Sequence, residues 1–276
     1  MEVFSINNIG FMQGRLTKAL DKKLQFFPWD NWLNEFSIAK NNDFNNIEWT
    51  IDTYNIQNNP FFFEKKKVLE NLKHSKLNIS AITCDFIMEQ PFYKNNTNEI
   101  DSLDFLKRTI DSCEFFGVKY IVVPLVDNGS IKEHTHDLLF LKLQNISDML
   151  SKNINILFET DFSPSENLNF IKSFDNNKFG LNYDTGNSAH LGFPFLEEII
   201  FFKFVKNIHI KDRILNSISV PLGKGDFNFR GFYNFLKNYK YTGIFTLQTA
   251  RSPYDNDLKN LLLNRDFLIN LNEDKF

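Results

Sequence analysis

Eight short runs of β-branched and apolar residues recur along the chain, and each is separated from the next by enough residues for a helix. They are NIGFMQGR (8–15), NIEWTI (46–51), ISAITCDF (79–86), YIVVPLV (120–126), INILFETDF (154–162), FGLNYDTGN (179–187), VKNIHIKDR (205–213) and GIFTLQTAR (243–251). Runs of this length and composition read as strands. Between them, residues 29–42, 102–117, 136–153 and 229–239 carry apolar positions at helical spacing. In the second of these, Leu103, Leu106, Ile110 and Cys113 repeat on one face, and Gly117 supplies the helix-ending residue. Eight βα units over about 250 residues predict an α/β fold, a (β/α)8 barrel closed by parallel strands. A doubly wound open sheet is the alternative, but the Gly-rich phosphate turn expected after its first strand is missing.

The chain has 276 residues, 42% of them hydrophobic, which is enough for a sizeable core. No Pro/Gly/Ser-rich linker and no abrupt change of charge interrupts it, so one domain over 1–276 is expected. A net charge of −3 and a pI near 6.0 argue against a nucleic-acid partner, which needs a basic face. No stretch approaches the roughly 18 apolar residues of a membrane span, and no signal peptide is visible at MEVFSINNIG. The two cysteines, Cys84 and Cys113, suit free thiols in a reducing compartment, and a cytoplasmic location is expected.

Alternate side chains of a strand face opposite ways. In the fifth run, Ile156 and Phe158 oppose Asn155, Leu157 and Glu159; in the sixth, Leu181 and Tyr183 oppose Asn182 and Asp184. In the seventh, Ile208 and Ile210 oppose Asn207, His209 and Lys211; in the eighth, Phe245 and Leu247 oppose Thr246 and Gln248. Each run thus has an apolar face for a covering helix and a second face ending in a metal-ligand type. In a barrel that second face points inward and the C-terminal strand ends share one mouth. Glu159, Asp184, His209 and Gln248 are expected to converge there as an O/N donor set for one Mn²⁺, Mg²⁺, Co²⁺ or Zn²⁺ ion.

Seven stretches in order carry a family resemblance: IGFMQGRLT, IEW, FETDF, YDTGNSAHLG, IHIKDR, PLGKGDFNF and LQTAR. From Ile9 to Arg251 the chain resembles the xylose isomerase-like TIM barrels, and within them the sugar phosphate isomerase/epimerase proteins often encoded with surface-polysaccharide genes. The resemblance implies a single divalent metal held by Glu159, Asp184 and His209. It implies proton transfer next to a metal-polarised carbonyl of a small carbohydrate. Gln248 stands where much of the wider family has a glutamate that is both ligand and second acid/base. An amide ligates through its carbonyl oxygen but cannot take a proton.

Glu159 is therefore the expected main acid/base, which favours same-face transfer, an aldose–ketose isomerisation, over epimerisation. A second catalytic group opposite it would be Lys211, Glu48 or Asp85. Gln13, Arg15, Glu48, Asp85, Asn187, His190, Arg213 and Arg251 are candidate substrate contacts, and Arg213 is the favoured partner for a substrate anion. Asp212 is read as partner to Lys211 or Arg213. Gly223 and Gly225 are read as shaping a loop rather than as a phosphate turn, and Cys84 as buried at the end of the third strand. His74, His134 and His136 are read as exposed helical or helix-start residues. Residues 58–66, NNPFFFEKK, are expected to expose aromatics on a loop, as a lid or as the interface of a homo-oligomer. A dehydratase on the same barrel and a sugar-binding barrel without chemistry are the alternative functions; five histidines and an acidic balance count against an endonuclease.

Overall fold

A computed structural model of the chain describes residues 2–18, 24–94, 99–132, 137–252, 254 and 256–273; His134 and His136 lie outside them. Strands β1 (Ile9–Met12), β2 (Asn46–Ile51), β3 (Asn78–Cys84), β4 (Tyr120–Leu125), β5 (Asn155–Thr160), β6 (Phe179–Asp184), β7 (Val205–Ile210) and β10 (Phe245–Leu247) close into one barrel. Neighbours follow chain order and every pair is parallel. The short β8 (Asp212–Arg213) and β9 (Ser219–Val220) form a separate antiparallel ribbon after β7. Flanking helices complete a (β/α)8 barrel.

The apolar face of each strand looks outward, as the alternation required. Ile9, Phe11, Trp49, Ile82, Ile121, Phe158, Leu181, Ile208 and Phe245 are all buried in one continuous core between barrel and helices. Aromatic rings fill much of that layer. Trp49 packs edge-on to Trp32 with centroids 6.0 Å apart, and its indole N–H donates to Asn59 Oδ1 at 3.2 Å. A buried ring of this size stabilises by about 1.5–3 kcal/mol through area alone. Phe158 is enclosed by Phe170, Phe174 and Phe179.

Helix ends follow local chemistry. The helix Ser102–Phe116 stops at Gly117, whose φ of +71° is left-handed backbone that glycine adopts without strain. Pro164–Lys172 starts with a reciprocal Ser163–Glu166 cap. Two boundaries fall short of expectation. The helix expected over 136–153 is seen as Asp137–Ser147, and β3 ends at Cys84, with Asp85 opening a short helix Asp85–Glu89. The aromatic stretch at 58–66 is not a loop of exposed rings. Asn59 caps a helical turn Pro60–Phe63, Phe61 is fully buried against Trp49, and Phe63 alone of the three rings is strongly exposed.

Inside the barrel the composition reverses. Ala81, Val122 and Leu157 form a small apolar layer separate from the outer core. The other inward positions include Glu48, Thr83, Asn182, Asn207, His209 and Thr246, all buried and all polar. A register shift between Leu181 and Asn182 pairs Asn182 with Asn207 and Asp184 with His209, so these four side chains stand together on the inner wall.

Candidate metal centre

Buried polar groups are stable when hydrogen-bonded, and most of the barrel interior meets that condition through one connected network, Gln13 Nε2 and Asp184 Oδ2 being exceptions. Glu48 is its anchor. Its Oε1 accepts from Thr83 Oγ1 at 2.6 Å and lies 2.8 Å from His209 Nε2; its Oε2 accepts from Thr246 Oγ1 at 2.7 Å and Asn207 Nδ2 at 3.2 Å. Burial opposes ionisation of Glu48, but His209 and the hydroxyl donors override it and its pKa is lowered. A carboxylate at Nε2 fixes the proton there and turns the other nitrogen, Nδ1, towards the mouth.

His209 Nδ1 lies 3.0 Å from Glu159 Oε2. Asn182 Nδ2 donates to the same oxygen at 2.8 Å and sits 3.0 Å from Nδ1, while Asn187 Nδ2 donates to Glu159 Oε1 at 2.9 Å. Asp184 completes the group. Its Oδ1 accepts from the amides of Gly186 at 2.6 Å and Asn187 at 3.0 Å, and its Oδ2 is buried with no hydrogen-bond partner. One donor atom each from Glu159, Asp184 and His209 fall within 4.8 Å of one another.

The charge distribution fits a cation. Burial raises the Asp184 pKa and the Glu159 charge adds to it; Lys211 and His209 offset this only in part. Burial works against both Glu159 ionisation and an imidazolium at His209, but their mutual contact wins. Glu159 is lowered, and His209, between two carboxylates, is raised well above its ordinary value. An unpartnered carboxylate oxygen, a second carboxylate and an imidazole nitrogen at such spacing fit a divalent ion. The triad lies at a cavity of about 370 Å³, of which Glu159 is a lining residue.

Residues 36–270 match the xylose isomerase-like TIM barrel family. The chain belongs to that family. No curated protein matches it by sequence. Among solved structures, a xylose isomerase domain protein from Planctomyces limnophilus is 16% identical, with a TM-score of 0.75 over 97% of this chain and 98% of that one. The IOLI protein with a bound zinc atom is 14% identical, with a TM-score of 0.70 over 98% and 99% of the chains. A D-tagatose 3-epimerase-like protein is 16% identical, with a TM-score of 0.69 over 96% and 99%.

On this xylose isomerase-like barrel the residues singled out in the sequence divide into three groups. Asp85, Asn187, His190, Lys211, Arg213 and Gln248 line the cavity with Glu159. Burial, then the charges of Glu89, Asp52 and Glu159, push Asp85 up to about 8 against a hydrogen bond from Gln25. His190 presents an Nδ1 without a hydrogen-bond partner, and burial and Arg213 lower its pKa. Arg213 donates from Nε and Nη2 to Ser217 O at 3.2 and 2.9 Å.

A second group sits behind the wall. Glu48 is fully buried beneath His209 and is no substrate contact or opposite base. Gln13 is also fully buried, its Oε1 accepting from Thr50 N at 3.2 Å. Arg15 and Arg251 are structural cations of the β1 loop. Arg15 Nη1 donates to Leu24 O, and Arg251 Nη1 donates to Gly14 O at 2.7 Å and Thr17 O at 2.9 Å. Burial, and the charge of Arg251, lower Arg15 to about 9.

The third group was read for a different partner. Asp212 is held by backbone amides, that of Arg213 among them, rather than by the Lys211 or Arg213 side chain. Its carboxylate accepts from the amides of Gly223 at 2.9 Å, Gly225 at 2.9 Å and Phe227 at 3.2 Å. Those amides are therefore committed to Asp212 and do not form a phosphate turn. A Cβ on Gly225 would lie 2.3 Å from Asp212 Oδ1, so only glycine fits. Cys84 is buried outside the cavity wall, its thiol pushed up by burial, and His74 is exposed on the helix Lys65–Ser75.

Sequence reading missed two groups. Gln25, on the loop after β1, lines the cavity and joins Asp85 to Gln248. Asn182 contacts Glu159 and His209, and Asn207 donates to Asn182 and Glu48; their in-phase position with Asp184 and His209 was the signal available.

Proposed function

We propose that this barrel is a divalent-metal-dependent isomerase or epimerase of a small carbohydrate, working by proton transfer at the carbon next to a carbonyl. The observation that carries it is the unpartnered Oδ2 of Asp184 beside Glu159 and His209 at a cavity of sugar-accommodating size. Relatives of the same fold named for zinc binding and for D-tagatose 3-epimerase likeness support the reading. Glu159, Asp184 and His209 would hold the ion, with Gln248 the fourth candidate. Bound there, a divalent cation supplies the Lewis acid that polarises the substrate carbonyl and acidifies the neighbouring C–H.

The chain supplies the rest. Glu159 is kept ionised by His209 and Lys211 and is the base that takes the proton. A positioned base of this kind is worth about 10²–10⁴-fold in rate. Lys211, with Nζ 4.0 Å from Asp184 Oδ2, faces the negative charge that develops on the substrate. Return of the proton by Glu159 to the adjacent carbon, with the hydroxyl proton passing to the former carbonyl oxygen, gives isomerisation. Return from the other face needs a second group, and with Glu48 buried under His209 the candidates are Lys211 and Asp85.

Asp85, Glu89, Asp127, Glu159 and Asp161 line the cavity, with Lys211 and Arg213 as the cations among its described residues. That balance favours an unphosphorylated sugar, with Arg213 the group a phosphate would meet.

The test is proton exchange. Metal-loaded protein is incubated in D2O with a panel of ketoses and their phosphates, and products are read by NMR. Metal-dependent deuterium incorporation that Glu159→Gln abolishes is expected. A dehydrated product would assign the lyase instead, and bound sugar with no exchange on any substrate would make the barrel a binding module.

A further inference from the structure

Gln248 stands where a fourth metal ligand is expected, yet both ends of its amide are engaged elsewhere. Its Nε2 donates to Gln25 Oε1 at 2.8 Å, and its Oε1 lies 3.4 Å from Lys211 Nζ. Gln25 Nε2 in turn donates to Asp85 Oδ2 at 2.8 Å. The polarity of this chain is fixed by its ends. Lys211 can only donate, so it needs the carbonyl of Gln248. Arg15 Nη2, 3.4 Å from Gln25 Oε1, can only donate as well. Reversing either amide would set donor against donor.

We infer that Gln248 is not a metal ligand but a positioning residue for Lys211. On this view the ion is held by Glu159, Asp184 and His209 alone, and Gln25 and Gln248 hold the Lys211 ammonium beside it. The inference rests on the metal reading above and refines it.

The charge consequence is direct. Glu159, Asp184 and the ionised Glu48 beneath a neutral His209 balance a divalent ion and the Lys211 ammonium, and a glutamate at 248 would leave the site one unit negative. An ammonium held there meets negative charge developing on the substrate. The arrangement also sets Lys211 against the ion, since the ammonium lies 4.0 Å from the oxygen Asp184 offers it.

A double-mutant cycle on Mn²⁺ and Zn²⁺ affinity, read by calorimetry without any substrate, tests this. The four proteins are wild type, Lys211→Met, Gln248→Ala and the double variant. Lys211→Met is expected to bind both ions more tightly than wild type, because a competing cation is gone. In the Lys211→Met background, Gln248→Ala is expected to change Kd by less than about threefold, since its effect runs through the lysine. A weakening beyond about threefold in that background makes Gln248 a ligand and overturns the inference while leaving the metal reading intact. Absence of binding by wild type, with Asp184→Asn no different, would overturn the metal reading itself and this inference with it.

Discussion

Glu48→Gln is the substitution that most directly tests how the barrel interior prepares His209. Four donors converge on the Glu48 carboxylate: Thr83 Oγ1 and His209 Nε2 on one oxygen, Thr246 Oγ1 and Asn207 Nδ2 on the other. Glutamine keeps the shape but has one acceptor oxygen, so its NH2 must face one of the two pairs. Hydroxyls can turn to accept; Asn207 Nδ2 cannot. If the NH2 faces Asn207, one buried donor is left unmatched, costing about 1–3 kcal/mol. If it faces His209, the ring must move its proton to Nδ1, the nitrogen that points at Glu159 and the proposed metal position. Either way the imidazole is less well fixed, and loss of such an orienting carboxylate costs about 10–100-fold in metal affinity. Calorimetric titration with Mn²⁺ reads the second effect. Thermal unfolding in EDTA reads the first, expected as a fall of a few degrees for a chain of this size. A folded Glu48→Gln protein that binds Mn²⁺ as wild type does would show that Glu48 does not set the tautomer of His209.

Glu35 gives a pH signature away from the site. Its carboxylate accepts from the amides of Gly14 and Leu16, and burial pushes its pKa up to about 7 from 4.5. The folded state then holds a proton that the unfolded state has released, so stability falls as pH rises from about 4.5 to about 7 and is flat above, by about 3 kcal/mol in all. In Glu35→Gln the slope of urea melts taken across this range is expected to become shallower, with the falls due to the raised Asp85 and Glu198 remaining; an unchanged slope would acquit Glu35. Gln248→Glu supplies a second carboxylate base beside Glu159, and is expected to raise epimerisation relative to isomerisation in the D2O assay. If it gains nothing while wild type epimerises with solvent exchange, the single-base mechanism is wrong. Mn²⁺ at about 100 times its Kd should stabilise the fold by about 2.7 kcal/mol, seen as a higher Tm that EDTA reverses and that Asp184→Asn lacks.

Alternation along the strands revealed much of this in advance because a barrel has one inside. Once Ile156, Leu181, Ile208 and Phe245 are assigned to the helical layer, Glu159, Asp184, His209 and Gln248 must face inward. Depth is what alternation leaves out. Glu48 shares the inward face with the candidate ligands, but its register against Met12 and Ala81 puts it below them, where it meets His209 from beneath. Strand tilt and stagger decide that depth, and neither is written in a single strand. The β1 loop is the other blind spot. Arg15 and Arg251 lie at strand ends that open onto the mouth, but the chain at Leu24 folds over them and takes their donors. Gln25 reaches the cavity from the same loop with no periodicity to announce it.

These features connect in the energetics of Asp184. Most polar side chains inside the barrel have partners supplied by other strands, several of them across the barrel. Asp184 Oδ2 is the exception that matters, because its side chain is fully buried, it accepts no hydrogen bond and Lys211 Nζ stands 4.0 Å away. A polar group buried without a partner costs roughly 1–3 kcal/mol, and more when charged, so a fold selected for stability alone would not keep it. The surrounding residues even act to preserve it. Gly186 and Asn187 occupy Oδ1, Asn182 and Asn187 occupy Glu159, and Gln248 draws Lys211 to its own carbonyl. What remains without a hydrogen bond is one oxygen of Asp184, next to a Glu159 oxygen and a His209 Nδ1 that contact each other. Such a residual cost is the thermodynamic drive for a cation to enter. It makes metal binding and fold stability two readings of one free energy.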